Sequence, residues 1–310
     1  MALKQIKNKI ISTKKTGKVT KAMEAVSAVK MRKSQARAFE SRPYVRTAMR
    51  ILSRLADSHE GLAHPLAQKR EPGRRLLIIV TSDKGLAGSV NRAVLKRVDH
   101  TLQAHRETDV ICIGRKASEY ALRQNLKVLY EHLNVSDDIS LDEVSEISAL
   151  AVAHFANGTY AGVDVIYQNF LSTFEQEPVK RQVLPLDTTE IMTIMNGIKP
   201  WAGMKKTVEL ETTTQATYTI EPSAEVVLNT LIPQLVQVVV YHALLESKAS
   251  EHSARMVAMK NATDKSKEVT KFLTLKFNKA RQAAITAEVA EITGVRTTVF
   301  VLESIINFSN

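Results

Sequence analysis

The sequence predicts an α/β domain between two long terminal helices, which pair as an antiparallel coiled coil. Three observations support this fold class. Apolar residues recur every three or four positions near both ends of the chain, and short apolar runs alternate with helical patterns in the middle. In addition, only 11 glycines and 8 prolines occur in 310 residues, so helix breakers are few.

The first element is a helix predicted over residues 3–58. Its apolar residues follow steps of three and four, for example at Leu3, Ile6 and Ile10. Pro43 is expected to kink this helix or to end it. The apolar stripe is narrow and the remaining faces carry lysine and arginine. A helix of about 80 Å with this pattern needs a partner along its length.

The middle of the chain, from about residue 70 to residue 190, alternates between strand and helix patterns. Leu76–Val80 is a continuous apolar run of strand length, and the loop Ser82–Gly88 follows it. Such runs between helices predict a mostly parallel sheet that is covered on both faces. The predicted strands are 76–80, 110–113, 127–130, 163–170 and 179–186, and the predicted helices lie between the loop and 103, at 115–124 and at 140–156.

The last third of the chain begins with a Thr-rich linker at 187–222 and continues as a second long helix. Ser223 is the type of residue that caps a helix N-terminus. Pro233 is placed where the long helix is expected to begin, at the first-turn position that proline tolerates. From there to Thr293 the chain contains no glycine or proline, which predicts a helix of about 90 Å.

The net charge of +11 is concentrated at the two ends of the chain. Residues 1–50 carry +12 and residues 248–281 carry +6, so the remainder carries −7. This distribution implies an acidic partner, nucleic acid or an anionic surface, and composition alone does not choose among them.

Several kinds of site lack support in the sequence. A single cysteine, Cys112, excludes an internal disulfide framework and a Cys-based zinc site. The histidines show no metal-ligand spacing, and no GxSxG motif occurs. We expect no apolar stretch to reach the ~20 residues that span a membrane, and no signal peptide is apparent, so we expect a cytoplasmic protein without a cofactor.

Two alternative functions remain open at this point. The basic ends are compatible with a coiled-coil protein that binds nucleic acid, for which affinity would fall steeply with added salt. The loop Ser82–Gly88 follows a strand and opens a helix, where α/β enzymes bind phosphates, but it lacks the Gly-Lys-Ser/Thr of a Walker loop. A nucleotide-binding enzyme would be stabilised against heat by ATP or NAD.

Three segments and one loop carry a resemblance to a known family. The segments are VTKAMEAVSAVKMRKSQ at 19–35, LLESKASEHSARMVAMKNATD at 244–264 and FNKARQAAITAE at 277–288. The loop Ser82–Asn91 is similar to the motif SDRGLCGxxN, with Lys84 in place of Arg and Ala87 in place of Cys. The chain thereby resembles the gamma subunits of bacterial F-type ATP synthases, from about residue 2 to Ile292.

This resemblance implies both the fold and the function. In the family, a coiled-coil shaft lies inside the alpha-beta catalytic hexamer, and a Rossmann-like domain binds the epsilon subunit and the membrane-embedded c-ring. Ion-driven rotation of the ring turns the shaft, which forces the catalytic sites through different affinities. The implied protein is therefore a non-catalytic rotor subunit, peripheral to the cell membrane on its cytoplasmic face, that binds neither cofactor nor nucleic acid and does not insert in the membrane.

The same resemblance implies domain limits and contact residues. The implied parts are an N-terminal coiled-coil helix (1–60), a Rossmann-like domain (70–190), a linker (187–222), a C-terminal coiled-coil helix (223–293) and an atypical tail (294–310). The residues implied in rotor–hexamer coupling are Lys21, Met23, Arg255, Arg281, Gln282 and Thr286. The tail departs from the family's short end and contains a β-prone run at 297–302. We expect that it either packs at the hexamer apex or is a frame-shifted end.

Overall fold

A computed structural model describes most of the chain. It covers residues 3–41, 43–45, 47–48, 51, 64–187, 221 and 223–307, with side chains described up to Thr293 apart from that of Ala224. The predicted linker lies outside these residues except at its two ends. The part of the predicted first helix from 52 to 58 also lies outside them.

The described residues form helices and strands in the predicted alternation. In chain order they are α1 (Leu3–Glu40), β1 (Arg75–Val80), α2 (Val90–Ala104), β2 (Thr108–Ile113), α3 (Arg115–Arg123), β3 (Val128–His132), α4 (Leu141–Ala156), β4 (Gly162–Phe170), β5 (Gln176–Leu184) and α5 (Ala224–Asn307). The first helix ends at Glu40, and the described residues 43–45, 47–48 and 51 are helical again. Pro43 therefore interrupts the predicted helix, because proline cannot donate the backbone hydrogen bond that would continue it.

The strands form one five-stranded sheet with the order β3-β2-β1-β4-β5. Strands β1 to β4 are parallel, and β5 is antiparallel to β4 at the edge. Residues of β2 and β4 are buried along their full lengths, including the polar residues Asp109 and Asp164. The mostly parallel sheet is therefore confirmed.

Helices cover both faces of this sheet. On one face, α1, α4 and α5 pack against apolar side chains such as Ile78, Val165 and Tyr167. On the other face, α2 and α3 cover a smaller core around Leu77, Cys112 and Ile166. The long helix α5 is thus a core element of the α/β domain over its first turns.

One expectation about α5 is wrong. The helix begins at Ala224, not at Pro233, and it continues through Pro233, which lies inside the helix and not in its first turn. Ser223 caps it as predicted, because its hydroxyl accepts a hydrogen bond from Val226 N at 3.3 Å. Packing of the flanking residues Ile232 and Leu235 in the core compensates for the backbone bond that proline removes.

The expectation that no segment is apolar enough to cross a membrane is also wrong. Within Glu225–Thr293, α5 contains an 18-residue window with a mean hydropathy of 1.4, which is long and apolar enough to span a bilayer. Half of this window is buried inside the protein. Side chains such as Leu235, Val236 and Val240 pack against the sheet, so this composition is that of a core helix.

The chain forms two compact units, each of which contains part of both long helices. Unit 1 consists of residues up to Glu24 and from Met259 onwards, and unit 2 consists of Ala25–Ala258 with the sheet. In unit 1 the two helices are antiparallel. Gly17 lies against Ser266, and the hydroxyls of Thr20 and Thr263 are 2.7 Å apart. Small residues at this seam allow the two helices to approach closely.

The C-terminal tail continues the second long helix. The backbone is α-helical as far as Asn307, so the β-prone run at 297–302 is helical in this structure. Local sequence preference is overridden here by continuation of an established helix, since propagation adds a backbone hydrogen bond for each residue that is fixed.

Candidate functional site

The carboxyl ends of the parallel strands are the position where α/β domains usually bind ligands. In this chain, residues Glu246–Arg255 of α5, called here the polar segment, lie across that edge of the sheet. Most of its polar and charged side chains are buried, with exposed fractions between 0 and 7 %. Because burial removes these groups from water, each of them needs a hydrogen-bonding or charged partner within the protein.

Arg255 is bound to the loop that follows β1. Its guanidinium donates to the carbonyl oxygen of Gly85 at 3.2 Å and to that of Lys84 at 3.4 Å. It also donates to Glu251 Oε1 at 2.6 Å, one helical turn earlier. The charge of Arg255 is thus neutralised within α5 while its remaining donors hold α5 to the loop.

The other polar side chains of this segment bind two further loops. The Lys248 ammonium donates to the carbonyl oxygen of Val135 at 3.1 Å and lies 3.7 Å from Glu251 Oε2. Ser250 donates to the carbonyl oxygen of Gln168 at 3.1 Å, at the end of β4. Ser253 donates to the carbonyl oxygen of Thr173 at 2.6 Å. Side chains of α5 therefore supply donors to backbone carbonyl oxygens at this sheet edge.

A buried ionisable pair lies at the start of the polar segment. His242 and Glu246 are fully buried on successive turns, with Nδ1 and Oε1 3.4 Å apart. Glu246 and Arg181 both lie beside Tyr167. Burial, together with the Glu246 carboxylate, raises the pKa of Tyr167, so that its hydroxyl stays protonated.

The loop Ser82–Gly88 is held by the side chains of Asn91, just after the loop, and of Asp83 within it. Asn91 Oδ1 accepts from the backbone N–H of Ser82 at 3.0 Å, and Asn91 Nδ2 donates to Ser82 Oγ at 2.7 Å. Asp83 accepts from the backbone N–H groups of Arg115 at 3.0 Å, Asn134 at 3.0 Å and Val135 at 2.9 Å. The Arg115 amide belongs to the first turn of α3.

Side chains fill part of the sheet edge next to the loop. Amides at the start of a helix after a parallel strand are the groups that bind phosphate in related architectures. Here the Asp83 carboxylate accepts from one such amide, in the first turn of α3, and the polar segment of α5 contacts the loop and the end of β4. Among the described residues no group of His, Cys, Asp and Glu is arranged to hold a metal ion.

The comparison with known proteins identifies the family. Residues 2–297 match the family model described as ATP synthase. Over 292 residues the chain is 37 % identical to the ATP synthase gamma chain of Heliobacterium modesticaldum, and the match covers 94 % of this chain and 97 % of that relative. The chain belongs to the ATP synthase gamma family. A gamma chain is a non-catalytic subunit of the synthase and its central rotor shaft.

Solved structures of mitochondrial ATP synthases contain chains similar to this one. A chain from the central stalk and c-ring of the Tetrahymena thermophila mitochondrial ATP synthase is 25 % identical, with a TM-score of 0.56, and the match covers 79 % of this chain and 99 % of that one. A chain from the rotor of the Euglena gracilis enzyme is 16 % identical, with a TM-score of 0.57 and coverages of 91 % and 98 %. A second Euglena chain, from an OSCP, F1 and c-ring structure, is 18 % identical, with a TM-score of 0.62 and coverages of 96 % and 94 %. The two Euglena chains show the fold alone.

The residues implied in coupling occupy three separate places in this gamma chain. Lys21 is exposed and Met23 is partly buried, both on α1. Arg281, Gln282 and Thr286 are exposed on α5. Both groups lie in unit 1. Thr20, next to the first group, pairs with Thr263 of α5, and Arg281 is 18 residues beyond Thr263. At about 1.5 Å per residue, the two groups are therefore about 27 Å apart along the helix axis.

Arg255 differs from the other implied residues because it is buried in unit 2, with 7 % of its surface exposed. Sequence motifs also do not point to Asp137 and Asp138, which lie between β3 and α4 and form ion pairs with α1. The sequence does contain one signal for these buried contacts. A dense polar run inside a helix that otherwise packs on a sheet, as at Glu246–Arg255, indicates that the adjoining loops supply partners.

Proposed function

We propose that this gamma chain couples ion-driven rotation of the membrane ring to the conformational cycle of the alpha-beta hexamer through side chains of unit 1. The supporting observation is that the two helices of this unit bury few apolar side chains. Among its described residues the buried apolar side chains are Ile6, Met259 and Leu273. Large apolar side chains are exposed on the same two helices at Ile11, Val19, Phe272, Leu275, Ile285, Val289 and Ile292.

Such a helix pair needs a surrounding partner. Two helices that leave this much apolar surface in water are stabilised when a third surface covers them. The exposed lysines of α1 favour acidic groups on that surface. Exposed ion pairs contribute only about 0–1 kcal/mol each, so the helices are able to exchange partners one at a time as they turn.

The implied coupling residues fit two levels of contact with the hexamer. We assign Lys21 and Met23 to one level on α1, and Arg281, Gln282 and Thr286 to another level on α5. Thr286 donates to the backbone carbonyl oxygen of Gln282 at 2.9 Å, and the side chain of Gln282 is exposed. Arg255 takes a different role, which is to hold α5 on the loop after β1.

The α/β domain of unit 2 is proposed to bind the epsilon subunit and the c-ring. Support comes from the Tetrahymena structure, in which the similar chain belongs to an assembly of central stalk and c-ring. The complex is membrane-associated, and we place this subunit on the cytoplasmic face of the cell membrane.

Reconstitution tests the proposal. The chain is mixed with alpha and beta subunits, the complex is isolated, and ATP hydrolysis is measured. We expect a complex with one copy of this chain per three alpha and three beta subunits. Gln282→Ala should lower its hydrolysis rate, whereas Gln103→Ala, an exposed glutamine on α2, should not. Equal rates for the two variants would show that Gln282 does not contact the hexamer.

The atypical tail is tested in the same assay by removing residues 294–310. Assembly of both forms with similar hydrolysis would show that the tail is accommodated by the hexamer. Assembly of the truncated form alone would show that the tail is incompatible with the complex. Failure of both forms to assemble would refute the proposed contact between unit 1 and the hexamer.

A further inference from the structure

The segment between β3 and α4, Leu133–Ser140, binds both long helices and is called here the clamp loop. Its central residue is Asp137. Lys30 of α1 donates to Asp137 Oδ2 at 2.5 Å, and Nε2 of His252 on α5 lies 2.9 Å from Asp137 Oδ1. One carboxylate thus connects the loop to two helices that are far apart in the sequence.

The side of the clamp loop that faces α1 has further ion pairs. Asp138 Oδ1 lies 3.0 Å from the Lys33 ammonium and also pairs with the guanidinium of Arg37. Arg37 donates in addition to the carbonyl oxygen of Ile139 at 3.1 Å. Lys30, Lys33 and Arg37 are spaced by three and four residues, so they lie on one face of α1.

On the side of the clamp loop that faces α5, most contacts are hydrogen bonds from α5 side chains to backbone carbonyl oxygens of the loop. Tyr241 donates to the carbonyl oxygen of Ile139 at 3.3 Å, and Lys248 donates to that of Val135 at 3.1 Å. Together with His252, which lies beside Asp137, these contacts extend over three turns of the helix. Burial lowers the pKa of His252 despite the nearby carboxylates of Glu251 and Asp137, so this contact does not depend on a charged imidazole.

The clamp loop is in turn fixed to the sheet. The backbone N–H groups of Asn134 and Val135 donate to Asp83, in the loop after β1. Val135 and Ile139 are buried in the main core, at 7 and 2 % exposure. A force applied to the α/β domain therefore reaches Asp137 through short hydrogen-bonded connections.

We propose that Asp137 is a positioning residue for rotary coupling, which holds α1 and α5 in fixed rotation relative to the α/β domain. Apolar contacts between helices and a sheet tolerate small sliding, whereas hydrogen-bonded ion pairs of fixed geometry do not. Both long helices continue from unit 2 into unit 1. Torque on the domain enters the helices at the clamp loop. The inference rests on the proposed function as a rotor.

The electrostatics of the clamp loop fit this role. Partial burial favours protonation of Asp137, but the Lys30 hydrogen bond, with His252 and Lys248 nearby, outweighs it and lowers the carboxyl pKa. The carboxylate is therefore charged at neutral pH, accepts a hydrogen bond from Lys30 of α1 and lies 2.9 Å from His252 of α5. The substitution Asp137→Asn would keep the size of the side chain but remove the charge and one acceptor.

The test uses the complete synthase in membrane vesicles and compares Asp137→Asn with Asp142→Asn, an exposed carboxyl on α4. ATP hydrolysis and ATP-driven pumping of the coupling ion are measured on the same vesicles. We expect D137N to hydrolyse ATP within about twofold of the unmodified enzyme, with pumping per ATP reduced about threefold or more. D142N should retain both, and Asp137→Glu should recover part of the pumping.

Each outcome decides between a positioning role and a purely structural one. If D137N pumps as many ions per ATP as the unmodified enzyme, the inference is wrong, whether or not its total activity falls with the amount of assembled complex. Lys30→Gln and His252→Gln, which each release one helix from Asp137, should give intermediate ratios. If the unmodified chain itself fails to assemble or to pump, the proposed rotor function fails, and that result is separate from any difference among variants.

Discussion

Replacing Arg255 with methionine removes the group that connects α5 to the loop after β1. Methionine retains a similar length and apolar stem, so the change isolates the guanidinium. Glu251, which is 5 % exposed, would lose its 2.6 Å partner and keep only Lys248 at 3.7 Å. The carbonyl oxygens of Lys84 and Gly85 would lose their donor.

The expected cost follows from these lost contacts. Removing one partner of a buried ion pair costs about 3–5 kcal/mol. We take the lower end, about 3 kcal/mol, because Gly85 is exposed and water reaches its carbonyl oxygen after the substitution. With a urea dependence of about 3 kcal/mol per molar, the midpoint of unfolding should fall by about 1 M.

The assay is urea unfolding of the full chain, followed by circular dichroism of its helices. Arg281→Met is the matched control, because Arg281 is exposed, and its midpoint should not change. Combining Arg255→Met with Glu251→Gln should recover part of the loss, since no unpaired carboxylate then remains. A midpoint for Arg255→Met within about 0.2 M of the unmodified chain, a fifth of the expected shift, would refute this reasoning.

Three further predictions concern conformation, titration and the helix seam. Gly114→Ala should destabilise the α/β domain by about 3 kcal/mol or more, because its φ is 88° and an added Cβ would lie 2.2 Å from a carbonyl oxygen. Gly85→Ala, whose added Cβ meets no heavy atom within 4 Å, should leave the urea midpoint nearly unchanged. Burial raises the pKa of Cys112 to about 12, so at a pH of about 8 the thiol is protonated, and a thiol reagent should modify the native chain about 100-fold more slowly than the chain in urea. Thr20→Val should lower stability by about 1 kcal/mol in thermal melts, and adding Thr263→Val should cost little more, because both hydroxyls of the 2.7 Å pair are then gone; additive losses would contradict the pairing.

Much of the sheet could be predicted because its central strands are short and mostly apolar. The runs at Leu76–Val80 and Val163–Phe170 are too short for ordinary surface helices, and the structure extends each by only one residue at its start. The edge strand β5 begins and ends two to three residues earlier than predicted, since its polar residues mark no sharp boundary. Pro233 misled the prediction because local preference for a first-turn proline was overridden by core packing on both sides of it.

The candidate site was less predictable than the fold. Sequence motifs drew attention to Arg255, but they could not show that it is buried. A charged run on a helix has the same pattern whether water or loop carbonyls satisfy it. The partners of Arg255 lie about 170 residues earlier in the chain, and those of His252 lie 115 residues earlier, so only the folded topology brings them together. The positions Arg281 and Gln282 differ from these, because both are exposed on α5 and a helical pattern alone suffices to place them.

Asp83 gives this domain an internal substitute for the anion that comparable domains take from solution. Its carboxylate accepts from three backbone amides, one of them in the first turn of α3. An incoming phosphate would meet a negative charge where it requires free amides. At the start of α3, the rotor subunit thus satisfies a backbone amide with its own carboxylate.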